Sequence, residues 1–318
     1  MLNPPPEEAV LERLVAWGRA RPDVGAMVLT SSRARGDETV DLLSDYDLIL
    51  AVTDAQRLAQ DDAWQLDYGR PMVRWGDEGA RYGWPTFFRG VVYEDGVKID
   101  YSLWPLALVD EVSAREALPD VLDVGYRVLL DKDGRTSGWP PPTYRAHVPP
   151  RPTEGEYRAL VEELWWSATY MAKSLWRGEL VFAKFCLEYD MKLVALRRLL
   201  EWRLEIDHDW SVRPGVWGRG LERRLPPDTW SALASTYVGA DLEANWAALL
   251  RTTALGRQVA SEVAAALGYT YPQDVDDEVS AYVNSIRRWQ RDARPRAGRE
   301  GSKAALPDLG LDDDAQTE

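Results

Sequence analysis

The chain of 318 residues is predicted to fold as an α/β domain with a mixed sheet, followed by a mostly α-helical domain. Three observations support this. Short β-type runs alternate with amphipathic helical segments over residues 1–137, six prolines cluster within residues 138–152, and helical periodicity dominates residues 153–292. With 45% of its residues apolar, the chain can form a core in each part.

The first domain begins with a helix and two strands. Residues 7–20 place their apolar side chains on one face of a helix, and glutamates near its start suit the helix dipole. Residues 24–29 form an uninterrupted apolar run that predicts a buried strand. A mostly polar loop over 30–44 then leads to a second strand, which begins near Asp45 and continues through 48–52.

The remaining elements of this domain come from shorter patterns. The Asp-Gly pair within Glu94-Asp95-Gly96, between two β-type runs, is typical of a hairpin. In chain order, we expect a helix over 54–69, strands over 91–93 and 97–103, a helix over 106–118 and a strand over 126–130.

A proline-rich segment separates the two domains. Proline lacks the amide donor and restricts φ, so residues 138–152 are expected to form a stiff linker. Residues 206–226 are expected to be irregular, and the aperiodic tail 293–318 to be disordered. Gly178 and Gly268 are expected at helix ends, and helical periodicity covers 154–177, 179–205, 228–238, 241–267 and 276–291.

Charge and composition narrow the function classes. The net charge is −14, and residues 1–150 hold 25 acidic and 16 basic side chains, a net of −9. Such an excess of acid argues against nucleic-acid binding, which needs a basic surface; it suits a cationic ligand, or simply solubility. A single cysteine, Cys186, excludes an intrachain disulfide and favours the reducing cytoplasm. We expect no signal peptide and no membrane span, and the sequence predicts no oligomeric state.

The segment 26–52 carries the most chemical information. Because side chains alternate along a strand, Asp45 and Asp47 share one face and Tyr46 points to the other. Adjacent carboxylates repel each other unless a cation lies between them, and oxygen ligands with open positions suit Mg²⁺. The alternative is that an Asp-x-Asp at a strand start is only a turn or cap.

Other residues add to this arrangement. Ser31, Ser32 and Arg33 offer hydroxyls, backbone amides and a guanidinium suited to phosphate oxygens. Asp100 lies on a strand that the hairpin could place beside Asp45 and Asp47, where it would be either a metal ligand or a general base.

The spacing of these motifs resembles that of the nucleotidyltransferase superfamily and, more closely, of the aminoglycoside 6-adenylyltransferase family, the streptomycin adenylyltransferases. The resemblance spans roughly residues 10–290. Its motifs in the first half are Ser32-Arg33, Ser44-Asp45-Tyr46-Asp47, Val52-Thr53-Asp54, Glu94-Asp95-Gly96-Val97-Lys98-Ile99-Asp100 and Leu130-Asp131-Lys132-Asp133-Gly134. In the second half they are Glu163-Leu164-Trp165-Trp166, Tyr170-Met171-Ala172-Lys173, Arg177-Gly178-Glu179-Leu180, Leu225-Pro226-Pro227-Asp228-Thr229-Trp230 and Gly268-Tyr269-Thr270-Tyr271-Pro272.

The resemblance implies transfer of AMP from ATP to a hydroxyl, with release of pyrophosphate and with Mg²⁺ as cofactor. It implies that Asp45, Asp47 and Asp100 are the catalytic and metal-binding residues. It further implies that the helical domain closes the cleft and that the acceptor is a cationic aminoglycoside. We expect the triphosphate to contact Ser31, Ser32, Arg33 and Lys173, and the acceptor to contact Asp67, Glu94, Asp95 and Glu163. For Lys173 the alternative is an ordinary solvated lysine, and for each of these acids a solvated surface position.

One departure from the family pattern is clear. The family usually has Glu-Gly-Ser-Arg where this chain has Thr30-Ser31-Ser32-Arg33. Glycine allows close approach of a phosphate to the backbone, so Ser31 bears on how the nucleotide binds. Two other hypotheses therefore stand beside the first: the same chemistry on another hydroxylated acceptor, and a non-catalytic nucleotide-binding protein.

Overall fold

The computed structural model describes residues 4–36 and 40–289, so the expected disordered tail 293–318 lies outside the described residues. The described chain divides into two units. The first comprises the residues up to Pro152 together with Glu201–Leu225, and the second comprises Thr153–Leu200 together with the residues from Pro226 onward. The sequence assigned 201–225 to the helical domain, whereas the structure groups them with the sheet.

The first unit contains a six-stranded mixed sheet, which confirms the predicted fold class. The strand order is β3-β4-β5-β2-β1-β6; β2 and β5 run parallel and all other neighbours are antiparallel. The strands are β1 Val24–Thr30, β2 Tyr46–Val52, β3 Pro71–Arg81, β4 Trp84–Tyr93, β5 Lys98–Pro105 and β6 Tyr126–Asp131. Its helices are α1 Glu7–Ala20, α2 Ser31–Arg35, α3 Ala55–Gln60, α4 Leu106–Ser113 and α5 Asp120–Asp123.

Each face of the sheet packs against a separate core. Leu14 of α1 packs with Leu48 and Tyr101 on one face, while Ile49 packs with Leu108 of α4 on the other. Because β1 and β2 lie in the middle of the sheet, they are buried on both faces, which explains their continuous apolar sequences.

Two segments differ from the sequence predictions in their local structure. The helix expected over 54–69 is α3 followed by a 3₁₀ segment, Asp62–Asp67, because Asp54 and Asp61 each accept a hydrogen bond from a backbone amide and start a new turn. The loop expected over 30–44 contains α2, which ends at Gly36 in the left-handed conformation.

The outer strands were largely missed. Only 91–93 of β4 and none of β3 were predicted, although β3 pairs with β4 along ten positions. Every residue of β3 from Met72 to Ala80 is exposed, so burial did not impose the apolar alternation that identifies a strand.

The proline-rich segment 138–152, expected to be a stiff linker between the domains, is part of the first unit and packs within it. Trp139 is buried and its indole nitrogen donates a hydrogen bond of 2.8 Å to Ser113 Oγ. The carboxylate of Asp123 accepts hydrogen bonds from the backbone amides of Arg145 and Ala146.

The second unit is helical, as predicted. Helix α6 begins with a capping box between Thr153 and Glu156, and Gly178 and Gly268 end α6 and α11 in the left-handed conformation. In chain order the helices after Pro152 are α6 Glu154–Arg177, α7 Leu180–Phe185, α8 Arg197–Asp207, α9 Leu221–Arg224, α10 Pro227–Ala234, α11 Leu242–Leu267 and α12 Gln273–Arg288. Helix α9 and most of α8 belong to the residues grouped with the first unit. A π-helical segment, Cys186–Leu196, makes α7 and α8 continuous. Within the described ranges, no helix is both long and apolar enough to cross a bilayer.

Candidate active site

Three aspartates meet where the parallel strands β2 and β5 lie side by side. Asp47 and Asp100 are register partners across these strands, so their side chains project from the same face. Asp45 immediately precedes β2 and lies two positions before Asp47. We call the surface that carries these three side chains the carboxylate face.

The electrostatics of the carboxylate face are those of a crowded anionic site. Burial raises the pKa of Asp47 to about 6, and the nearby carboxylates of Asp100 and Asp45 add to the shift. A hydrogen bond from the Ser31 hydroxyl opposes it. Burial also raises the pKa of Asp100, against the effect of the Lys98 ammonium.

Lys98 places a positive charge between two of these acids. Its Nζ lies 2.6 Å from Asp45 Oδ2 and 3.0 Å from Asp100 Oδ2, and thus joins the two carboxylates. Burial lowers the pKa of Lys98, but these hydrogen bonds outweigh that effect and raise it overall. With Lys98 between the acids, no three carboxylate, imidazole or thiolate groups among residues 4–36 and 40–289 are grouped closely enough to hold a metal ion.

The donor set nevertheless fits a hard divalent cation. All three acids offer oxygen, which Mg²⁺ prefers. Asp100 Oδ1 is buried and accepts no hydrogen bond from the described residues, so it retains a full capacity to bind a cation. The raised pKa of Asp47 shows that its anion lacks sufficient compensation in this arrangement. A metal ion at Asp45 and Asp47 would supply it once the Lys98 ammonium moved aside.

The residues after β1 lie at the edge of the carboxylate face. Thr30 is buried and donates a hydrogen bond of 3.4 Å to the Asp47 carbonyl. Ser31 has φ +62°, a left-handed conformation that favours glycine, and its amide donates to the Gly125 carbonyl at 3.1 Å. The departure at position 31 therefore falls where the backbone itself favours the family's glycine.

Arg33 does not face the carboxylates, contrary to its predicted role. Its guanidinium is buried, donates to the Ser44 carbonyl at 2.7 Å and pairs with Glu7 at 2.8 Å. It also lies 4.0 Å from the ring centroid of Tyr46, whose side chain points away from Asp45 and Asp47. Arg33 therefore holds the 41–44 loop in place, and it is not available to a phosphate on the carboxylate face.

Three of the predicted acceptor contacts also lie away from this face. Asp67 accepts a hydrogen bond of 2.9 Å from Trp17 in the aromatic cluster beneath the opposite face of the sheet. Glu94 pairs with Arg70 at 3.1 Å, and Asp95 accepts the Val97 amide at 3.0 Å in the β4–β5 turn. These acids have local structural roles, whereas the alternative considered for each of them from the sequence was a solvated surface position.

The other predicted residues belong to the loop after β1 and to the second unit. Ser32 lies in the first turn of α2, and its carbonyl accepts the Gly36 amide. On α6, Glu163 is exposed, and Lys173 Nζ lies 4.1 Å from the ring centroid of Tyr170. Of the adjacent tryptophans, Trp165 is buried and Trp166 is exposed.

Sequence reasoning missed Lys98 as a member of the site. It occurs in the quoted motif that ends at Asp100, and the alternation of Lys98-Ile99-Asp100 already places the lysine on the face of the aspartate. The pairing with Asp45 could not be found this way, because it depends on β2 lying beside β5.

Comparison with known proteins identifies a family and several similar proteins. The profile of a family described as streptomycin adenylyltransferase matches residues 6–286. An aminoglycoside 6-adenylyltransferase of Campylobacter jejuni is 28% identical over 281 residues, which is 87% of this chain and 94% of the relative. One of Bacillus subtilis is 28% identical over 266 residues, 82% of this chain and 90% of the relative. The crystal structure of an aminoglycoside 6-adenyltransferase from Bacillus subtilis has 24% identity and a TM-score of 0.45, covering 90% of this chain and 100% of that one.

The fold, the paired aspartates after a polar turn and the third aspartate on the neighbouring strand define a nucleotidyltransferase enzyme. Since the family profile matches most of the chain, the protein belongs to the streptomycin adenylyltransferase family.

Proposed function

We propose that this protein transfers AMP from ATP to a hydroxyl of an aminoglycoside, with Mg²⁺ as cofactor and with the 6-hydroxyl of streptomycin as the favoured acceptor. The observation that carries the proposal is the register of β2 and β5, which brings Asp47 opposite Asp100 beside Asp45. The names of the relatives supply the acceptor class, and modification of the antibiotic would give resistance in the cytoplasm, where ATP is present.

Each carboxylate has a distinct part in this proposal. Asp45 and Asp47 would hold Mg²⁺, which neutralises charge that develops on the triphosphate when it is bound. The Asp100 carboxylate would accept the proton of the acceptor hydroxyl, because its Oδ1 accepts no hydrogen bond from residues 4–36 and 40–289 and burial raises the pKa of its carboxyl group. The acceptor oxygen forms a bond to the α-phosphorus while the bond to pyrophosphate breaks. A second role for Asp100, as a metal ligand through Oδ2, stays open.

Charged and polar neighbours would bind the nucleotide. Lys98 would exchange its carboxylate partners for phosphate oxygens when the nucleotide binds, since its ammonium already lies within 3.0 Å of both acids. The hydroxyls of Ser31 and Ser32 follow β1 and would contact the phosphates from the side of Asp47. We retain Lys173 as a phosphate contact and Glu163 as an acceptor contact in this proposal.

The test is an acceptor panel. Purified protein, ATP and Mg²⁺ are incubated with a set of aminoglycosides, and mass spectrometry detects the gain of one adenylyl group while pyrophosphate release is measured. Streptomycin is expected to gain the group at the 6-hydroxyl. Adducts on another acceptor alone would support the second hypothesis, and no adduct with any compound would support a non-catalytic nucleotide-binding protein.

Matched variants separate the site from the fold. Asp47→Asn is expected to abolish pyrophosphate release, whereas Asp95→Asn, which changes an acid of the β4–β5 turn on the other side of the sheet, is expected to retain it. Full activity of Asp47→Asn would refute the metal-binding role of this residue.

A further inference from the structure

The carboxylate face continues beyond Asp100 onto the two outermost strands. Successive register pairs place Asp47, Asp100, Gly90 and Trp75 in one row across β2, β5, β4 and β3. Residues paired in this way direct their side chains to the same face of the sheet. Neighbouring strands lie about 5 Å apart, so Trp75 begins about 10 Å from Asp100, about the width of one or two sugar rings.

The Phe88 ring and the Asp100 carboxylate fill the space above Gly90. A Cβ at this position would lie 3.1 Å from Asp100 Oδ1 and 3.0 Å from Cε1 of Phe88. Any side chain at position 90 would therefore crowd the Phe88 ring and Asp100 Oδ1, a buried oxygen that accepts no hydrogen bond from the described residues. The absence of a side chain lets the Phe88 ring pack directly beside the Asp100 carboxylate.

Phe88 forms an aromatic pair with Trp75 on this face. Trp75 and Phe88 have ring centroids 5.5 Å apart with their planes inclined by 58°. Trp75 is 63% exposed. It is a large aromatic side chain on an edge strand whose other residues include charges and glycines. Large exposed aromatic side chains next to a polar site are typical of ligand surfaces.

Two charged side chains of β3 share the face of these rings: Asp77 beside Phe88, and Arg81, which lies 5.7 Å from the ring centroid of Trp104. Asp77 is the register partner of Phe88 and lies on the same face, and its Oδ1 accepts the Glu78 amide. Arg74 and Arg89 occupy register positions on the opposite face, and Arg89 donates to the Ala59 carbonyl there. The aromatic rings are thus next to an acid on their own face, which suits a ligand that combines a ring with a positive charge.

We infer that Trp75, Phe88, Gly90 and Asp77, here called the aromatic platform, bind the acceptor, a cationic amino sugar or aminocyclitol. A ring of the acceptor would stack on Trp75, its ammonium or guanidinium group would pair with Asp77, and its hydroxyl would lie beside Phe88 at the Asp100 carboxylate. The inference rests on the proposed function for the identity of the acceptor. The nucleotide would then lie on the other side of the aspartates, toward Ser31.

Direct binding tests the platform independently of turnover. The affinity of the full chain for streptomycin, used as the probe, is measured by isothermal titration calorimetry. Trp75→Leu is expected to weaken this affinity about tenfold, whereas Trp75→Phe is expected to retain it within about threefold. Asp77→Asn is expected to weaken the affinity and to make it less dependent on salt concentration. Arg74→Ala, on the same strand but the opposite face, is the matched control and is expected to bind as the wild type does. In steady-state assays Trp75→Leu is expected to raise KM for streptomycin without changing KM for ATP.

The outcomes distinguish this inference from the proposed function. Loss of streptomycin binding in Trp75→Leu but not in Arg74→Ala supports the platform even if no adenylyl transfer is found. Unchanged affinity in Trp75→Leu while the wild type binds streptomycin overturns the platform and leaves adenylyl transfer standing. No streptomycin binding by the wild type also overturns it. Circular dichroism and thermal unfolding of each variant show whether a loss of binding reflects a loss of fold.

Discussion

Replacement of Asp47 by asparagine is expected to remove activity and to stabilise the protein at the same time. Asp47 is partly buried, faces Asp100 across the strand pair and lies near Asp45. Burial and these like charges raise the pKa of Asp47 from 3.8 to about 6. Asparagine has a similar shape and carries no charge, so the variant removes the unfavourable carboxylate and preserves the packing.

The raised pKa sets the magnitude and sign of the effect. Between about pH 4 and pH 6 the folded chain keeps a proton on Asp47 that the unfolded chain has released, so the free energy of unfolding falls as pH rises through this window. Two pKa units correspond to about 3 kcal/mol. We therefore expect Asp47→Asn to gain up to about 3 kcal/mol at pH above about 6.5 and little below about pH 4.

Urea unfolding at about pH 7.5 and about pH 4, followed by tryptophan fluorescence in the absence of divalent metal, measures this difference. Glu12→Gln, which removes an exposed acid from α1, is the control and is expected to change stability by less than about 0.5 kcal/mol. Adding Mg²⁺ is expected to stabilise the wild type and not Asp47→Asn. A loss of stability in Asp47→Asn at the higher pH would refute the reasoning, because it would show that the ionised carboxylate is well compensated in the folded chain.

Two further predictions concern the neighbours of Asp47. Ser31→Gly is expected to be about 1 kcal/mol more stable than Ser31→Ala in thermal or urea unfolding, because both lack the hydroxyl but only alanine keeps a Cβ at φ +62°; equal stability would show that the conformation carries no strain. Lys98→Met is expected to lose about 1 kcal/mol without metal, since Asp45 and Asp100 lose their shared cation, and to bind Mn²⁺ more tightly than the wild type in calorimetry. Weaker Mn²⁺ binding by Lys98→Met would show that the ammonium does not compete with the metal.

Most central elements could be predicted from local patterns. Helices α1 and α6 match their predicted limits, because their amphipathic periodicity and glutamate-rich starts are encoded within each segment. Strands β1 and β2 are buried on both faces and therefore have continuous apolar sequences. The edge strand β3 has no such requirement, so its sequence of charges and glycines concealed both the strand and the platform residue Trp75.

The candidate site was predictable to a similar degree. The alternation along a strand was enough to place Asp45 and Asp47 together and Tyr46 on the other side. It did not reveal that Arg33 stacks on Tyr46 and pairs with Glu7, which lies 26 positions earlier in the chain. The roles of isolated acids such as Asp67 and Glu94 were equally ambiguous. The sequence alone does not distinguish a carboxylate in a turn or an ion pair from a carboxylate in a binding site.

By itself, the sequence determined the class of fold, the order of the central elements and the family to which the protein is similar, because these follow from local periodicity and from motifs along the chain. The tertiary structure decided which side chains meet. The parallel register of β2 and β5 places Asp47 opposite Asp100 and Lys98 between two acids. The antiparallel registers of β5 with β4 and of β4 with β3 bring Trp75 into the same row. Strand pairing brings together residues distant in the chain, and a shift of one position would turn each side chain to the opposite face.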